Sequence, residues 1–243
     1  SPIRPTFVIT RLTSGNTHTS QEDGTAMPAY ETPEPITATL ELDCGTARIT
    51  AGKRADTVVE VLPRNAADDK DVHAVQQTQV TCSGGRLAIR TPKKRSLFGK
   101  PGAIEVTVEL PAGSDVRGTS ALGGFFCEGR FGDVTLKTSL GDVHVDEAAG
   151  ADLRTGHGDI RLYRAAGDVE VVGSGRIEIG TVTGAATVKN SNGATEIGEV
   201  TGGLTTSAPT ATSPSASRTA TSAPSAPMAA PTSAPPTPES RPP

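Results

Sequence analysis

Aromatic side chains are scarce in this 243-residue chain, which has five Phe, two Tyr and no Trp. Proteins that bind single-stranded nucleic acid stack the bases on exposed aromatic rings, and ligand pockets are usually lined by apolar and aromatic side chains. The formal net charge of −4 gives no reason to expect a phosphate-binding protein either. The composition therefore argues against nucleic-acid binding and against an enzyme with an aromatic-lined pocket.

Cysteine is equally sparse, and Cys44, Cys82 and Cys127 are far apart. An odd number of thiols without a C-x-x-C pair predicts neither a disulfide framework nor a zinc site, so we expect free, half-buried thiols in a reducing compartment. No apolar run approaches the ~20 residues of a membrane span, and residues 1–26 lack the apolar core of a signal peptide. We expect a cytoplasmic protein, with the cell surface as the alternative if the true N-terminus lies outside this sequence.

Regular patterning begins only after Met27, where residues 36–42 alternate apolar and polar side chains as a strand does. Residues 1–26 show no pattern. Codons for Gln21-Glu22-Asp23 can contain AGGAGG, a bacterial ribosome-binding sequence. We hypothesise that translation starts at Met27 and that residues 1–26 are an untranslated leader, or else a disordered segment.

Residues 27–113 are predicted to form a β-rich N-terminal section. The alternating stretches 46–50 and 57–62 flank Gly52-Lys53-Arg54, which indicates a hairpin. A single helix is predicted over 69–77, with Asp68 or Asp69 as its N-cap. Two further strands are predicted, at 86–90 and 104–110.

A short repeat occupies residues 114–204, and its glycines recur every eight or nine residues. Each glycine is often followed by Asp, and then by two apolar residues with one residue between them. The glycines stand at positions 132, 141, 150, 158, 167, 175, 184, 193 and 202. The apolar pairs include Val134/Leu136, Val143/Val145, Ile160/Leu162, Val169/Val171 and Ile177/Ile179. Each unit is therefore predicted to be one short strand bounded by turns.

Alternate units resemble each other more than neighbouring units do, so the full period is two strands, as from Gly141 to Gly158 and from Gly175 to Gly193. A flattened coil with one strand in each of two facing sheets explains this period, since stacked coils bury each other's apolar stripes. The predicted fold is all-β, a β-solenoid or β-roll of such coils. A stacked meander or a β-sandwich is the competing arrangement.

Residues 205–243 contain ten of the 19 prolines and are otherwise almost entirely Ser, Thr and Ala. Such a composition predicts disorder and is typical of a linker or an O-glycosylated stalk. We favour a frameshift, because GC-rich codons for a Gly-Asp repeat unit, translated one nucleotide late, give Thr-Ala-Thr-Ser-Pro-Ser, the sequence of residues 210–215. Gly-Asp repeats in the alternative frame of the gene would support this origin.

The Gly-Asp pairs suggest calcium binding, but they do not match the full calcium-binding motif. Successive Gly-Asp pairs are found in calcium-binding β-rolls, but those use G-G-x-G-x-D, whereas here one Asp follows one Gly, as turns alone require. We therefore expect no calcium site and no other cofactor. In the predicted stack of coils, the residues that follow the glycines line up along two edges. One edge has Asp142, Asp159, Arg176 and Ala194, and the other has Asp133, Asp152, Asp168 and Ala185.

No catalytic residues are predicted, and we expect no enzymatic activity. Gly156-His157-Gly158 and Gly173-Ser174-Gly175 lack the third glycine and the following helix of a nucleotide-binding loop. The four histidines share no spacing and have no evident carboxylate or thiol partner; they are His18, His73, His144 and His157. His144 should face away from the buried side of its strand, because Val143 and Val145 flank it.

The most distinctive segment outside the repeat is the basic stretch 93–100. It has four cations in eight residues together with an adjacent Leu-Phe pair. The simpler interpretation is a solvated loop tip with the apolar pair against a sheet edge, and the functional one is a contact with a partner or an anionic surface. The candidate contact residues are Lys93, Lys94, Arg95, Leu97, Phe98 and Lys100.

Several segments together resemble a bacterial group common in actinobacteria, the β-strand-repeat domains of unknown function often called putative adhesins. The resemblance covers residues 27–204 and is carried by Tyr30 to Ile36, residues 94–99, the Gly-Asp-Val/Ile units, and Val188 to Gly193. It implies a repetitive all-β fold without known catalytic residues.

Two functions follow as expectations. The first is an intracellular, non-enzymatic scaffold that binds another protein along a sheet face. The second is a cell-surface adhesin-like module with the Ser/Thr/Pro tail as its stalk. A polysaccharide-acting β-helix enzyme is disfavoured, because the sequence has neither paired carboxylates nor aromatic platforms.

Overall fold

The computed structural model describes residues 29–92 and 101–207, which contain 17 strands and one helix, α1 (Asp69–Gln77). The predicted all-β class is confirmed. In chain order the strands are β1 (Ala29–Glu31), β2 (Thr37–Gly52), β3 (Asp56–Pro63), β4 (Gln79–Ser83), β5 (Arg86–Arg90), β6 (Ile104–Pro111), β7 (Asp115–Leu122), β8 (Phe125–Arg130), β9 (Asp133–Leu140), β10 (Val143–Ala148), β11 (Gly150–His157), β12 (Ile160–Ala165), β13 (Val169–Gly173), β14 (Ile177–Val182), β15 (Ala186–Asn190), β16 (Thr195–Val200) and β17 (Leu204–Ser207).

The strands pair in two sheets, which share β2. In the first, sheet A, the order is β1, β3, β6, the second half of β2, β8, β10, β12, β14 and β16. In the second, sheet B, it is β4, β5, the first half of β2, β7, β9, β11, β13, β15 and β17. Inward side chains from both sheets form one hydrophobic core.

Strand β2 joins the sheets because its inward-facing side changes halfway along it. Even-numbered residues are buried up to Leu42, and odd-numbered residues from Ala47 onward, so the strand turns around Cys44 and Gly45. A Cβ at Gly45 would overlap the carbonyl oxygen of Ile104, which requires glycine at this close approach. The predicted strands at 36–42 and 46–50 are therefore parts of one continuous strand.

From β7 onward, each strand pairs in parallel with the strand two places further along the chain. Val143 is opposite Ile160, and Ile177 is opposite Thr195. A meander needs antiparallel neighbours, so these parallel pairings exclude it. Both members of each apolar pair named above are buried, as their alternation predicts.

The predicted hairpin is wrong. Strands β2 and β3 do not pair, because β6 lies between them: Arg48 of β2 is opposite Thr107, and Thr107 is opposite Glu60 of β3. Alternation shows which side of a strand is buried, but it does not identify the neighbouring strand. The link between the two strands, which includes Arg54, passes the end of β6, where Arg54 pairs with Glu109.

Helix α1 has the predicted bounds, and Asp68 caps it by accepting a hydrogen bond from the Lys70 N–H at 2.9 Å. Its buried Asp71 accepts hydrogen bonds from the backbone N–H groups of Asn65 and Ala103, at 3.0 and 2.6 Å. This carboxylate therefore fixes two loops to the helix. Within 29–92 and 101–207, no helix is both long enough and apolar enough to cross a bilayer.

A row of polar side chains lines the inner corner where sheet B strands turn toward sheet A. Thr138 and Thr155 donate hydrogen bonds to the carbonyl oxygens of Gly123 and Gly141, at 2.8 and 2.9 Å. Ser120 is at the equivalent position opposite Thr138, and its buried hydroxyl has no partner among the described residues. The hydroxyls of this row thus satisfy carbonyl groups at two of the glycine turns.

Candidate functional site

Two aromatic side chains point outward from the sheets in the part of the chain that the structure describes, and both lie on sheet A. They are Phe126 on β8 and Tyr163 on β12. Phe125 and Phe131 are buried, and Tyr30 packs partly against the core. Strand alternation explains the placement, since Phe126 lies between two buried residues of β8.

The parallel pairing of β2, β8 and β10 brings three unlike side chains into one row. Arg48 is opposite Phe126, and Phe126 is opposite His144. The Arg48 guanidinium carbon is 5.6 Å from the centroid of the Phe126 ring, a cation–π distance. The Phe126 and His144 rings meet edge to face, with centroids 5.0 Å apart and an angle of 71°. The row continues to Arg161, which is opposite His144.

Tyr163 lies beside this row and is 65% exposed, the most exposed large apolar side chain among the described residues. It borders an open groove of about 490 Å³ whose other lining residues are Gly129, Arg130, Asp146 and Glu147. An open groove of this kind can accept a protruding side chain of another protein. We call Arg48, Phe126, His144, Arg161 and Tyr163 the sheet A patch.

Ion pairs hold the arginines around Tyr163. Arg161 donates from Nε to Glu178, and this hydrogen bond lowers the pKa of the Glu178 carboxyl and raises the pKa of Arg161. Arg164 is 3.4 Å from Glu147, and its guanidinium carbon is 6.0 Å from the Tyr163 ring centroid. Exposed pairs of this type add little to stability, but they orient the side chains at the surface.

The outer face of sheet B differs, because no aromatic side chain points outward from it within the described ranges. Arg154 forms ion pairs with Asp152 at 2.7 Å and with Glu170 at 3.2 Å. Thr135 and Lys137 are exposed on the neighbouring strand β9. The outer face of sheet B is therefore polar, and it can be compared with the outer face of sheet A in mutagenesis.

The candidate contact residues of the basic segment lie outside the described residues; they are Lys93, Lys94, Arg95, Leu97, Phe98 and Lys100. The residues on either side of the segment, Pro92 and Pro101, line one small cavity together with Cys44 and Gln77. The residues that flank the segment therefore lie beside helix α1, and the contact itself stays a prediction.

The histidines that the structure describes lie apart from one another. His144 points outward, as predicted, and belongs to the sheet A patch. His73 is on α1, where its Nε2 is 2.8 Å from the amide nitrogen of Gln77. His157 is exposed at the end of β11, and His18 lies outside the described ranges.

Three aspartates of the Gly-Asp units accept hydrogen bonds from the backbone of the equivalent turn further along the chain. Asp142 Oδ1 accepts from the Asp159 N–H at 2.9 Å, and Asp159 Oδ1 accepts from the Arg176 N–H at 2.8 Å. Asp168 does the same for Ala185, at 2.9 Å. Where the structure describes the chain, no group of three or more His, Cys, Asp or Glu side chains is arranged to hold a metal ion.

The predicted position of Asp152 at this edge is wrong. It lies within β11, opposite Thr135 and Glu170, while Gly150 is opposite Asp133. The irregular spacing around Gly150 allowed two alignments with the preceding unit. The observed register lies two residues from the predicted one and places Leu153 beside Leu136 and Ala151 beside Val134. A two-residue shift keeps the same side chains facing inward, so alternation does not detect it.

All three cysteines are free, as predicted. Burial raises the pKa of each thiol, with a further contribution from the nearby Asp146 carboxylate for Cys127. Cys44 and Cys82 are half-buried, whereas Cys127 is fully buried on the inner side of β8. A raised thiol pKa disfavours the reactive thiolate.

Sequence reasoning missed Phe126 and Tyr163 as surface residues. The signal for both was present, because each stands next to inward-facing positions of a short alternating strand. Their proximity to Arg48 was not accessible in this way, since it depends on β2 pairing directly with β8.

No protein-family model matches the chain, and no curated protein matches it either. Among solved structures, a putative adhesin from Bacteroides fragilis NCTC 9343 is similar over 76% of this chain and 98% of its own, at 15% identity and a TM-score of 0.33. A putative cell adhesion protein from Clostridium sporogenes ATCC 15579 is similar over 75% of this chain and 99% of its own, at 11% identity and a TM-score of 0.36.

A third solved structure, a putative lipid binding protein from Parabacteroides distasonis ATCC 8503, is similar over 75% of this chain and 92% of its own. The identity is 11% and the TM-score is 0.36. At these scores the three similarities assign neither a family nor an activity to the chain.

Proposed function

We propose that this chain is a non-enzymatic β-repeat scaffold that binds another protein through the sheet A patch. The observation that supports the proposal is the placement of the outward aromatic side chains. In a chain with seven aromatic residues, Phe126 and Tyr163 both lie on one sheet face, next to Arg48 and Arg161.

Aromatic side chains and arginine are the residue types that contribute most to binding at protein interfaces. In the patch they stand on paired strands, whose backbone is held on both sides, so a partner would meet a surface that is already ordered. The groove beside Tyr163 adds a recess next to a projecting ring, and hot spots commonly combine such features.

The architecture that we propose for residues 114–207 is a β-solenoid of two-strand coils. The regular parallel pairings support it, as does the repeated hydrogen bond from one Asp position to the next coil. In such a stack each coil adds a row of outward side chains to a flat face, and a flat face suits contact with another folded protein.

The experiment compares affinity capture by two variants of the full-length chain. The double variant Phe126→Ala/Tyr163→Ala removes both outward rings of sheet A. The control, Thr135→Ala/Lys137→Ala, also replaces two exposed side chains, but on the outer face of sheet B. We expect the wild type and the sheet B variant to retain the same specific partner, and the sheet A variant to lose at least about 90% of it, since hot-spot truncation costs ~2 kcal/mol or more.

Thermal unfolding of each variant shows whether the fold is intact. We expect the melting temperatures to be unchanged, because both pairs of substitutions are on outer faces. Retention of every captured protein by the folded sheet A variant would contradict the proposal. Crosslinking from a photoreactive residue at position 163, compared with position 137, then locates the contact independently of affinity.

The alternative function is a cell-surface adhesin-like module, and the composition of residues 205–243 favours it, since Ser/Thr/Pro-rich segments form stalks. Fractionation of cells that express the natural gene distinguishes the two. Recovery with the cell envelope supports the surface module, and recovery with the cytoplasm supports the scaffold.

A further inference from the structure

The stack of strands ends at β17 in the part of the chain that the structure describes. Within those residues β17 pairs on one side with β15 and has no strand on its other side. A strand edge without a partner presents backbone N–H and C=O groups that can pair with another strand. Leu204 is half-buried and Thr206 is exposed at this end, although both occupy inward-facing register positions.

The sequence beyond β17 is poorly suited to continue sheet B. In sheet B, Ala186 is opposite Leu204. A further coil of the same length would place Ser222 beside Leu204, and a coil one residue shorter would place Thr221 there. The same two coils would place Pro224 and Ala223, respectively, beside Thr206. None of these is a large apolar residue, and proline lacks the N–H that a strand donates. The sequence of residues 221–224 therefore does not favour a further strand of sheet B.

The edges at this end differ in their charge. Strand β16 carries Glu196 and Glu199 on its outer face, and like charges opposed across two copies would repel. Strand β17 is Leu-Thr-Thr-Ser, so two features that usually prevent edge pairing, charge and proline, are absent, and its short length is the feature that remains. The edge of sheet B is thus open to self-pairing, whereas the edge of sheet A is protected.

We propose that β17 pairs in an antiparallel manner with β17 of a second copy of this chain. Centred on Thr205, this register sets Thr205 opposite its counterpart and Leu204 opposite Thr206 of the second copy. Inward positions then meet inward positions, and opposed threonines are a favourable cross-strand pair. The two stacks are joined end to end around a two-fold axis.

The contact is small, since each copy contributes one four-residue strand. Stable interfaces usually bury about 1,200 Å² or more, so self-association is weak and depends on concentration. It is independent of the sheet A patch, which lies on an outer face away from the β17 edge. Either proposal can therefore fail without the other.

The test is sedimentation velocity of the full-length chain from about 10 to 500 µM, a range suited to weak association. We expect the wild type to shift from monomer toward dimer. Thr206→Lys places a charge at an inward position of the edge and should weaken dimerisation roughly tenfold or more. Thr135→Lys on β9 adds the same charge to the exposed outer face of sheet B, away from the β17 edge, and serves as the matched control.

Thr206 is exposed, so the lysine variant should keep the melting temperature of the wild type at low concentration. A wild type that stays monomeric over the whole range overturns the proposal. So does equal weakening by the two lysine variants, because a contact through the outer face or through net charge alone would affect them alike.

Discussion

Gly118 is where one added methyl group should be most informative about the core. Its position on β7 is inward-facing and buried, and its backbone φ lies outside the left-handed region. A strand conformation therefore admits alanine without backbone strain. The obstacle is packing, because a Cβ at Gly118 would be 2.6 Å from Phe125 Cε1 and 2.7 Å from Leu136 Cδ2.

The neighbouring side chains have little room to move, since Phe125 and Leu136 are each 0% exposed. Inserting a methyl group into such a core typically costs ~1–3 kcal/mol. Replacing glycine also reduces the entropy of the unfolded chain, which favours folding by about 0.4–1 kcal/mol. We expect Gly118→Ala to lower the free energy of unfolding by about 1–2 kcal/mol.

Gly52→Ala is the matched control. No atom lies within 4 Å of the Cβ it would add, and its φ is also outside the left-handed region. The unfolded-state effect then acts alone, so this variant should be unchanged or up to about 1 kcal/mol more stable. Urea unfolding followed by circular dichroism measures both variants, and an unchanged slope on urea shows that the surface exposed on unfolding is the same in each.

Gly118→Ala as stable as Gly52→Ala would refute this account of the packing. A double variant sharpens the measurement. Leu136→Val shortens the side chain that the new methyl meets, so Gly118→Ala should cost less in that background than alone. We expect a coupling free energy of at least about 0.5 kcal/mol between the two changes.

Three further predictions concern single groups. Thr138→Val removes a hydroxyl that donates to Gly123 and should cost about 1 kcal/mol in urea unfolding, whereas Ser120→Ala removes a buried hydroxyl without a partner among the described residues and should be neutral or stabilising. Asp71→Asn weakens the acceptor for two backbone N–H groups and should cost about 1–3 kcal/mol; an unchanged urea midpoint would contradict the buried geometry. Cys127 should resist a thiol reagent at pH 8 in the native chain and react once the chain is unfolded, and rapid native reaction of all three thiols would contradict its burial.

The short strands of the Gly-Asp units could be predicted from the sequence because each of their signals is local. Alternation identified Ile160 and Leu162 as inward-facing, and glycine spacing identified the turns. The helix was equally local, since Asp68 supplies its cap two residues before the bonded N–H. In these segments the physical cause lies within a few residues of its effect.

The N-terminal section was less predictable because its pairings are long-range. The choice between a β2–β3 hairpin and an inserted β6 depends on which strands compete for the same edge, and alternation is the same in both cases. The register error at Asp152 has a similar origin, because it is a shift of two residues, which leaves the alternation of inward and outward side chains unchanged.

The candidate site shows the same division. Outward alternation could have identified Phe126 and Tyr163 individually. The row that combines Arg48, Phe126 and His144 depends on β2 and β8 becoming neighbours, and no local pattern around Arg48 indicates that pairing. A surface patch assembled from several strands therefore cannot be predicted from local sequence alone.

Because both sheets contain β2, the later strands of each sheet add to it in chain order, from the N-terminal section toward the C-terminus. From β9 onward each strand finds its partner two strands earlier in the chain, so a growing polypeptide docks each new strand onto one already formed. The first strands have no such template nearby, and the bond from the Ile36 N–H to Ser114 Oγ spans 78 residues. Closing that loop should limit the folding rate, while fraying should start at the opposite, C-terminal end.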